Sequence, residues 1–451
     1  MIRKLQFKKS SKTIFRIGRG NICLLVILLL SGSAIAQNID TAIVTEPHGK
    51  LYGMTFGDLS YKGNADALNR GVNQYSAYPA NTNMAQFRRI YLGYIYYISP
   101  RFTAECIMAA ESDYQSGVLG QASSGDLLAD NKFSPYIKYA NLRYKNLWKG
   151  TDLVVGQVNG PAYGINGRNW QTSEEIWGYR SIEKTVSDIR GTNCFDMGAE
   201  LQGWLDRKGN FGYDLMVGNG TQAKPATTQY KWFYGDVYAK FLNKRLIFDI
   251  YQDYDRLNWG TYVAGAKAGQ ASPNGAWYHD RNTTKFFTAW ATPKLTVGFE
   301  GYHTTILGDV KVLGKDNNYY YRTTNAMAMS LFVRGRILSD HSGSAKLGFF
   351  ARFDNFDPTG NLDNIINNAN TKSYSGLTAA YEPTTKEQFL VAGFDYTPFK
   401  NVHIMPNLWM DTYTSSLTQT LANENMNTQY INNNKGTDLV WRLTFYYIYG
   451  K

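Results

Sequence analysis

Apolar and polar residues alternate with a period of two along most of this chain. Between Cys194 and Asp206, residues Phe195, Met197, Ala199, Leu201 and Leu205 share one face, while Asp196, Glu200, Gln202 and Asp206 share the other. Ala345, Leu347, Phe349, Ala351 and Phe353 alternate in the same way with Lys346, Arg352 and Asp354. Near the end, Leu439, Trp441, Leu443, Phe445, Tyr447 and Tyr449 stand opposite Arg442 and Thr444. Successive side chains of a strand point to opposite faces, so such segments suit a sheet with one apolar and one aqueous side. No sustained 3.6-residue apolar repeat competes with this pattern. It predicts sixteen strands, beginning near Leu51, Phe87, Phe102, Tyr136, Asp152, Phe195, Phe211, Trp232, Leu246, Lys285, Leu295, Ala326, Ala345, Phe389, Val402 and Leu439.

The connections sort by parity. Short turns are predicted at 99–101, 148–150, 206–210, 242–245, 292–294, 339–343 and 397–401. Long polar connections fall between them at 60–85, 113–134, 158–192, 220–230, 259–282, 308–324, 355–385 and 413–438. Tight periplasmic turns alternating with long extracellular loops are the rhythm of a transmembrane antiparallel β-barrel. Lipid offers no partner to a free strand edge, so the sheet has to close, last strand against first. About 16 strands enclose a water-filled lumen, whereas 8 are filled by their own side chains.

Composition narrows the class further. Residues 1–36 carry Arg3, Lys4, Lys8, Lys9, Lys12, Arg16 and Arg19, then an apolar run from Ile22 to Leu30, then Ala34-Ile35-Ala36. That order predicts a cleaved secretory signal, leaving residues 37–451 as the barrel. The formal charge of +11 falls to +4 without those seven basic residues, which removes the main argument for nucleic-acid binding. Aromatic residues make up 15% of the chain, with 34 Tyr and 10 Trp, as girdles at two membrane interfaces would require. Cys106 and Cys194 are too few for a disulfide framework and are expected to be buried or wall-facing thiols. The partners expected are outer-membrane lipid and small hydrophilic solutes or ions.

The longest connection, 158–192, is the candidate pore-constriction loop. Its apolar residues Trp170, Ile176, Trp177, Tyr179 and Ile182 argue that it packs rather than floats. Folded inward, Arg168, Arg180, Lys184 and Arg190 would face Glu174, Glu175, Glu183 and Asp188 across water and bias which ions pass.

The segments Glu174–Gly191 (EEIWGYRSIEKTVSDIRG), Ala351–Pro358 (ARFDNFDP), Gly393–Pro406 (GFDYTPFKNVHIMP) and Arg88–Pro100 (RRIYLGYIYYISP) together resemble the phosphate-selective porin O and P-like group of outer-membrane porins. The resemblance implies a 16-stranded barrel, usually a homotrimer, with its third loop folded inward. Relatives with a known anion preference line the pore with Arg and Lys. Here Arg143, Lys145, Lys240, Arg334, Lys346, Arg352 and Arg442 are interspersed with Glu105, Glu111, Asp196, Glu200, Asp249, Glu300, Asp354 and Asp411. A mixed-sign wall of this kind suits general diffusion better than anion selection.

Three other readings compete. An oligosaccharide channel would use aromatics such as Tyr319, Tyr320 and Tyr321 as a slide, although girdles also use tyrosine. A barrel hydrolase needs a nucleophile beside a base. His279-Asp280 is placed in an outer loop, and His403 has no evident acid or Ser partner in the sequence. Asn- and Thr-rich loops at 361–372 and 415–435 suit an adhesive barrel as well as a porin. Asp354-Asn355-Phe356-Asp357 reads as a turn before Pro358 rather than a Ca²⁺ site. No phosphate loop, zinc spacing or EF-hand pattern occurs, and no cofactor is expected.

Overall fold

The computed structural model of the chain describes residues 46–71, 73–75, 78–111, 135–163, 173–186, 195–221, 230–258, 278–339, 345–376, 384–415, 421–423, 428–430 and 435–450. Residues 1–36, where the sequence predicts a cleaved signal, and Cys194 lie outside the described residues.

The chain forms a closed antiparallel barrel of sixteen strands. In order these are β1 (His48–Asn64), β2 (Thr82–Tyr97), β3 (Phe102–Glu111), β4 (Tyr136–Trp148), β5 (Thr151–Asn159), β6 (Phe195–Trp204), β7 (Phe211–Gly218) and β8 (Trp232–Phe241). Next come β9 (Leu246–Asn258), β10 (Tyr278–Ala291), β11 (Leu295–Gly314), β12 (Tyr319–Ser339) and β13 (Ala345–Asp357). The short β14 (Thr371–Gly376) is an accessory strand. The wall resumes with β15 (Thr385–Phe399) and β16 (Val402–Ser415), and ends with β19 (Lys435–Tyr449) after the short β17 (Leu421–Asn423) and β18 (Thr428–Tyr430). Each wall strand pairs with the next, β13 with β15 and β16 with β19. The seam joins β19 to β1 in unbroken register from Gly53↔Tyr449 to Lys62↔Val440.

Alternation explains why the sheet faces as it does. On β12, Leu331 is exposed while Phe332 is buried. On β1, Leu51, Leu59 and Tyr61 point out while Asp58 and Lys62 point in. The outer face carries Leu92, Val155, Val217, Val237, Ile250, Met329 and Phe353 as an apolar surface. Near the short-turn ends it carries exposed Tyr94, Tyr96, Trp148, Phe211, Phe241, Trp290, Tyr396 and Tyr447, the composition of an aromatic girdle. Cys106 belongs to this exposed outer face and is not buried.

All sixteen predicted strands are present. One predicted connection is not a loop. The 308–324 segment continues β11 and β12 as a hairpin past a bulge at residues 307–309, and reverses only at Lys315–Asn318. Gly308 takes φ +65° at that bulge, where a side chain would be strained. The hairpin gains an extra edge partner in β14, which pairs with β11 from Val310 to Gly314. Val310, Val312, Leu362, Ile365, Ile366 and Tyr374 form a separate apolar cluster under these long-loop segments.

Candidate functional site: the lumen and its inward loop

The connection between β5 and β6 enters the barrel. Ser173–Trp177 makes one helical turn, which ends at Gly178 with φ +72°, the left-handed conformation that favours glycine at a helix end. The chain then reverses so that the backbone N–H of Ile182 donates to the carbonyl of Tyr179 at 2.8 Å. Ile176, Trp177 and Ile182 are buried in one cluster with wall residues Ile247, Phe287, Phe332, Phe350, Val391, Met405, Trp409 and Val440. A segment that touches strands from β9 round to β19 at once can only lie inside them.

Four wall arginines hold the loop by its backbone. Arg334 Nε donates to the carbonyl of Ile176 at 2.8 Å, Arg442 to that of Ile182 at 3.1 Å, and Arg352 to that of Glu183 at 3.4 Å. Arg88 donates to the carbonyl of Ser181. Carbonyls buried away from water need donors, and guanidinium groups supply them on a fixed fork. Arg88 also pairs with Asp58, and Arg352 with Asp354 at 2.6 Å. Arg442 Nε further donates to Asn407 Oδ1 at 2.7 Å.

Among the loop's own charges, Glu183 is held by the wall and by its neighbour in the chain. Glu183 Oε2 accepts from the Trp409 indole at 3.0 Å, and its Oε1 accepts from the Lys184 backbone N–H at 3.1 Å. Arg180 and Lys184 are half-buried, and Glu175 is exposed, with its charge acting on Lys240. Glu174 lies on the helical turn. Arg168, Asp188 and Arg190 lie outside the described residues. The sequence pattern missed the backbone carbonyls as the arginines' partners.

The wall candidates divide into clamps and linings. Besides the clamping Arg334, Arg352 and Arg442, Arg143 pairs with Asp152 at 3.1 Å and donates to Gln202 at 2.6 Å. Lys145 lies over the Tyr97 ring and Lys240 over Tyr238. Glu105 accepts from the Tyr52 hydroxyl. Asp196 accepts from Tyr234 at 3.0 Å, Glu200 from Gln202 at 2.8 Å, and Glu300 is buried. Lys346 is exposed at the short-turn end of β13. Asp214, Asp236 and Asp253, also inward and buried, were not singled out beforehand, although alternation puts them on the polar face of β7, β8 and β9.

His403 has an acid partner after all. Its Nδ1 lies 2.9 Å from Asp395 Oδ1, and Thr397 Oγ1 lies 3.3 Å from the same nitrogen. Both neighbours meet one ring nitrogen, whereas a nucleophile–base–acid relay uses the two nitrogens separately. Asp395 Oδ2 accepts instead from the Tyr179 hydroxyl of the loop at 3.2 Å. His279 falls within β10, not in a loop.

These features define a porin-type barrel: a closed sixteen-stranded sheet, apolar outside and polar inside, with one loop folded inward. No protein-family model matches the chain, and no curated protein matches it by sequence. Solved structures do share its fold. The outer membrane channel DcaP of Acinetobacter baumannii superimposes with a TM-score of 0.56 at 11% identity, covering 90% of this chain and 98% of that one. The anion-selective porin from Comamonas acidovorans gives 0.51 at 9% identity, with 90% and 100% covered. Salmonella typhi OmpF, in complex with daunomycin, gives 0.50 at 10% identity, with 89% and 97% covered. The fold is therefore that of outer-membrane porins.

Proposed function

We propose that the chain is an outer-membrane porin that lets small hydrophilic solutes and ions diffuse passively, with residues 158–192 as its constriction. The observation that carries this reading is the pairing of an apolar outer face with a polar inner one around a closed sheet, into which a loop is clamped. A soluble barrel has no use for the exposed Leu, Val and aromatic side chains of the outer face. The porin fold shared with DcaP and the Comamonas protein supports the same reading. It carries with it a cleaved signal at 1–36, insertion in the outer membrane and assembly as a homotrimer. The mixed-sign wall supports general diffusion over phosphate selection.

Reconstitution into planar bilayers and liposomes tests the proposal. Stepwise conductance and swelling in small sugars are expected, and deleting residues 168–186 should raise the single-channel conductance. A purified barrel that inserts but passes neither ions nor sugars would refute it, and an unchanged conductance in the deletion would refute the constriction.

A further inference from the structure

Charge is distributed unequally between the two ends of the barrel. Every short turn carries or adjoins a basic side chain. Arg101 marks the first and Lys149 the second, Arg207 and Lys208 the third, Lys244 and Arg245 the fourth. Lys294 lies in the fifth, Lys346 flanks the sixth and Lys400 lies in the seventh, while Lys50 joins them from the start of β1. All but the half-buried Lys149 are exposed, and among the described residues none of the exposed ones forms an ion pair. Burial and the nearby Arg207 guanidinium push the Lys149 ammonium below its usual range. The acids of this end are fewer and engaged. Asp206 accepts from the backbone N–H groups of Asn210 at 2.6 Å and Phe211 at 2.9 Å in its own turn, and Asp395 is held by His403 and Tyr179. Glu46 is the one exposed acid there among the described residues. The long-loop end instead pairs its charges, Arg70 with Asp66 at 2.8 Å, Arg256 with Asp280 at 2.9 Å and Lys386 with Asp357 at 2.8 Å. Bare apolar side chains share the basic turns: Phe399, beside Lys400, is 76% exposed, and Leu242, two residues before Lys244, is 60% exposed.

Resting on the membrane reading above, we infer that the short-turn rim is a lipid-binding ring that seats on phospholipid headgroups and prefers anionic ones. The sheet is closed and its short turns join successive strand pairs, so their basic groups are spread round the whole circumference. A docked protein would meet one patch of such a rim, whereas a headgroup layer surrounds all of it. The aromatic girdle lies just inside the turns, and apolar Phe399 and Leu242 interrupt them, so acyl chains and phosphates are both within reach. Long basic side chains lay their stems along apolar surface and carry the charge out to the headgroups. Guanidinium groups also match phosphate bidentately. Near an anionic surface each base strengthens binding by about fivefold.

The test exchanges the purified barrel into mixed micelles holding equal phosphatidylglycerol and phosphatidylcholine, and quantifies the lipid that stays bound after washing by mass spectrometry. The rim variant is R207Q/K208Q/K244Q/R245Q. Its charge-matched control is K231Q/K315Q/K372Q/K435Q, four exposed lysines of the long-loop end. Wild type and control should retain phosphatidylglycerol over phosphatidylcholine by about fivefold or more, and the rim variant should lose most of that preference. A wash in 1 M NaCl, where the Debye length is about 3 Å, should abolish it. If the rim variant gives no heat-modifiable barrel, R207Q/K208Q is read in its place and should lose part of the preference. Equal retention of the two lipids by wild type, or an equal loss in the control, overturns the inference. Wild type that sediments with cell-wall sacculi, is released from them by the rim substitutions and shows no lipid preference overturns the lipid assignment in favour of the wall polymer. A chain that stays dissolved without detergent overturns the membrane reading and this inference with it. A barrel that shows the lipid preference but conducts nothing refutes the channel alone and leaves the ring standing.

Discussion

Replacing Trp177 by alanine asks how firmly the inward loop is held and by what. The indole is fully buried, with ring centroids 5.3 Å from Phe332 and 5.4 Å from Tyr179, and the Arg352 guanidinium 5.4 Å from its ring. Its Nε1 donates to the carbonyl of Glu183 at 3.0 Å. Burying an aromatic side chain of this size removes about 150–250 Å² from water, worth roughly 4–6 kcal/mol as an upper bound. Measured Trp-to-Ala changes in cores cost about 3–5 kcal/mol, so the two routes agree near 4 kcal/mol. The barrel ladder does not include this side chain, so the loss falls on loop docking. At about 1.4 kcal/mol per decade, the undocked fraction rises by roughly three orders of magnitude. Single-channel recording should then show larger and noisier openings, and limited proteolysis should newly cleave between 173 and 186. Heat modifiability of the barrel should change little. Trp441, 55% exposed on the outer face, is the control, and its alanine variant should conduct like the wild type. If W177A matches the wild type in conductance and cleavage, the apolar docking argument is wrong.

Other substitutions test separate links. Leu331 is 56% exposed in the middle of β12, and L331K should cost about 2–4 kcal/mol in lipid-based unfolding, as a lipid-facing lysine does; a surface residue of a soluble protein would change by less than about 0.5 kcal/mol, and that result would contradict the membrane reading. Gly178→Ala forces a side chain into a left-handed position and should cost about 1–2 kcal/mol, read as increased protease access to the loop with the strands intact. Burial pushes the Asp66 carboxyl up, but its bonds from Arg70 outweigh burial and hold it below the usual carboxylate range. A lowered folded value stabilises above the ordinary range and is lost on acidification, so protease access to residues 65–71 should rise as pH falls, and D66N should show that access already at neutral pH with no further acid step.

The wall was legible in the sequence because lipid on one side and polar groups on the other impose a period that single residues report. Every strand from Leu51 to Leu439 could be placed that way. The outer hairpin could not. Gly308, Asp309 and the Lys315-Asp316-Asn317-Asn318 turn look like loop, because beyond the bilayer both faces of a strand are polar and alternation fades. The inward course of residues 173–186 was suggested by Ile176, Trp177 and Ile182, but its fastening was not. The partners of Arg88, Arg334, Arg352 and Arg442 are backbone carbonyls, which every residue possesses and no sequence marks. The same blindness hid Asp395 from His403, since their contact depends on the β15–β16 turn bringing the pair together. Asp214 and Asp236 lie on the polar face that alternation assigns but were not singled out, and their opposition required the β7–β8 register.

The seam between β1 and β19 sets an order of events for assembly. The loop is gripped by Arg88 from the second strand and by Arg442 from the last, residues at opposite ends of the polypeptide. Contacts so distant in sequence form late and slowly. Once the final strand zips onto the first, a segment the size of the Trp177 turn has no lateral way in. From then on the loop enters and leaves only through the open end of the cylinder, so closing the wall narrows its route to one and brings the Arg88 and Arg442 grips to the same side of it together.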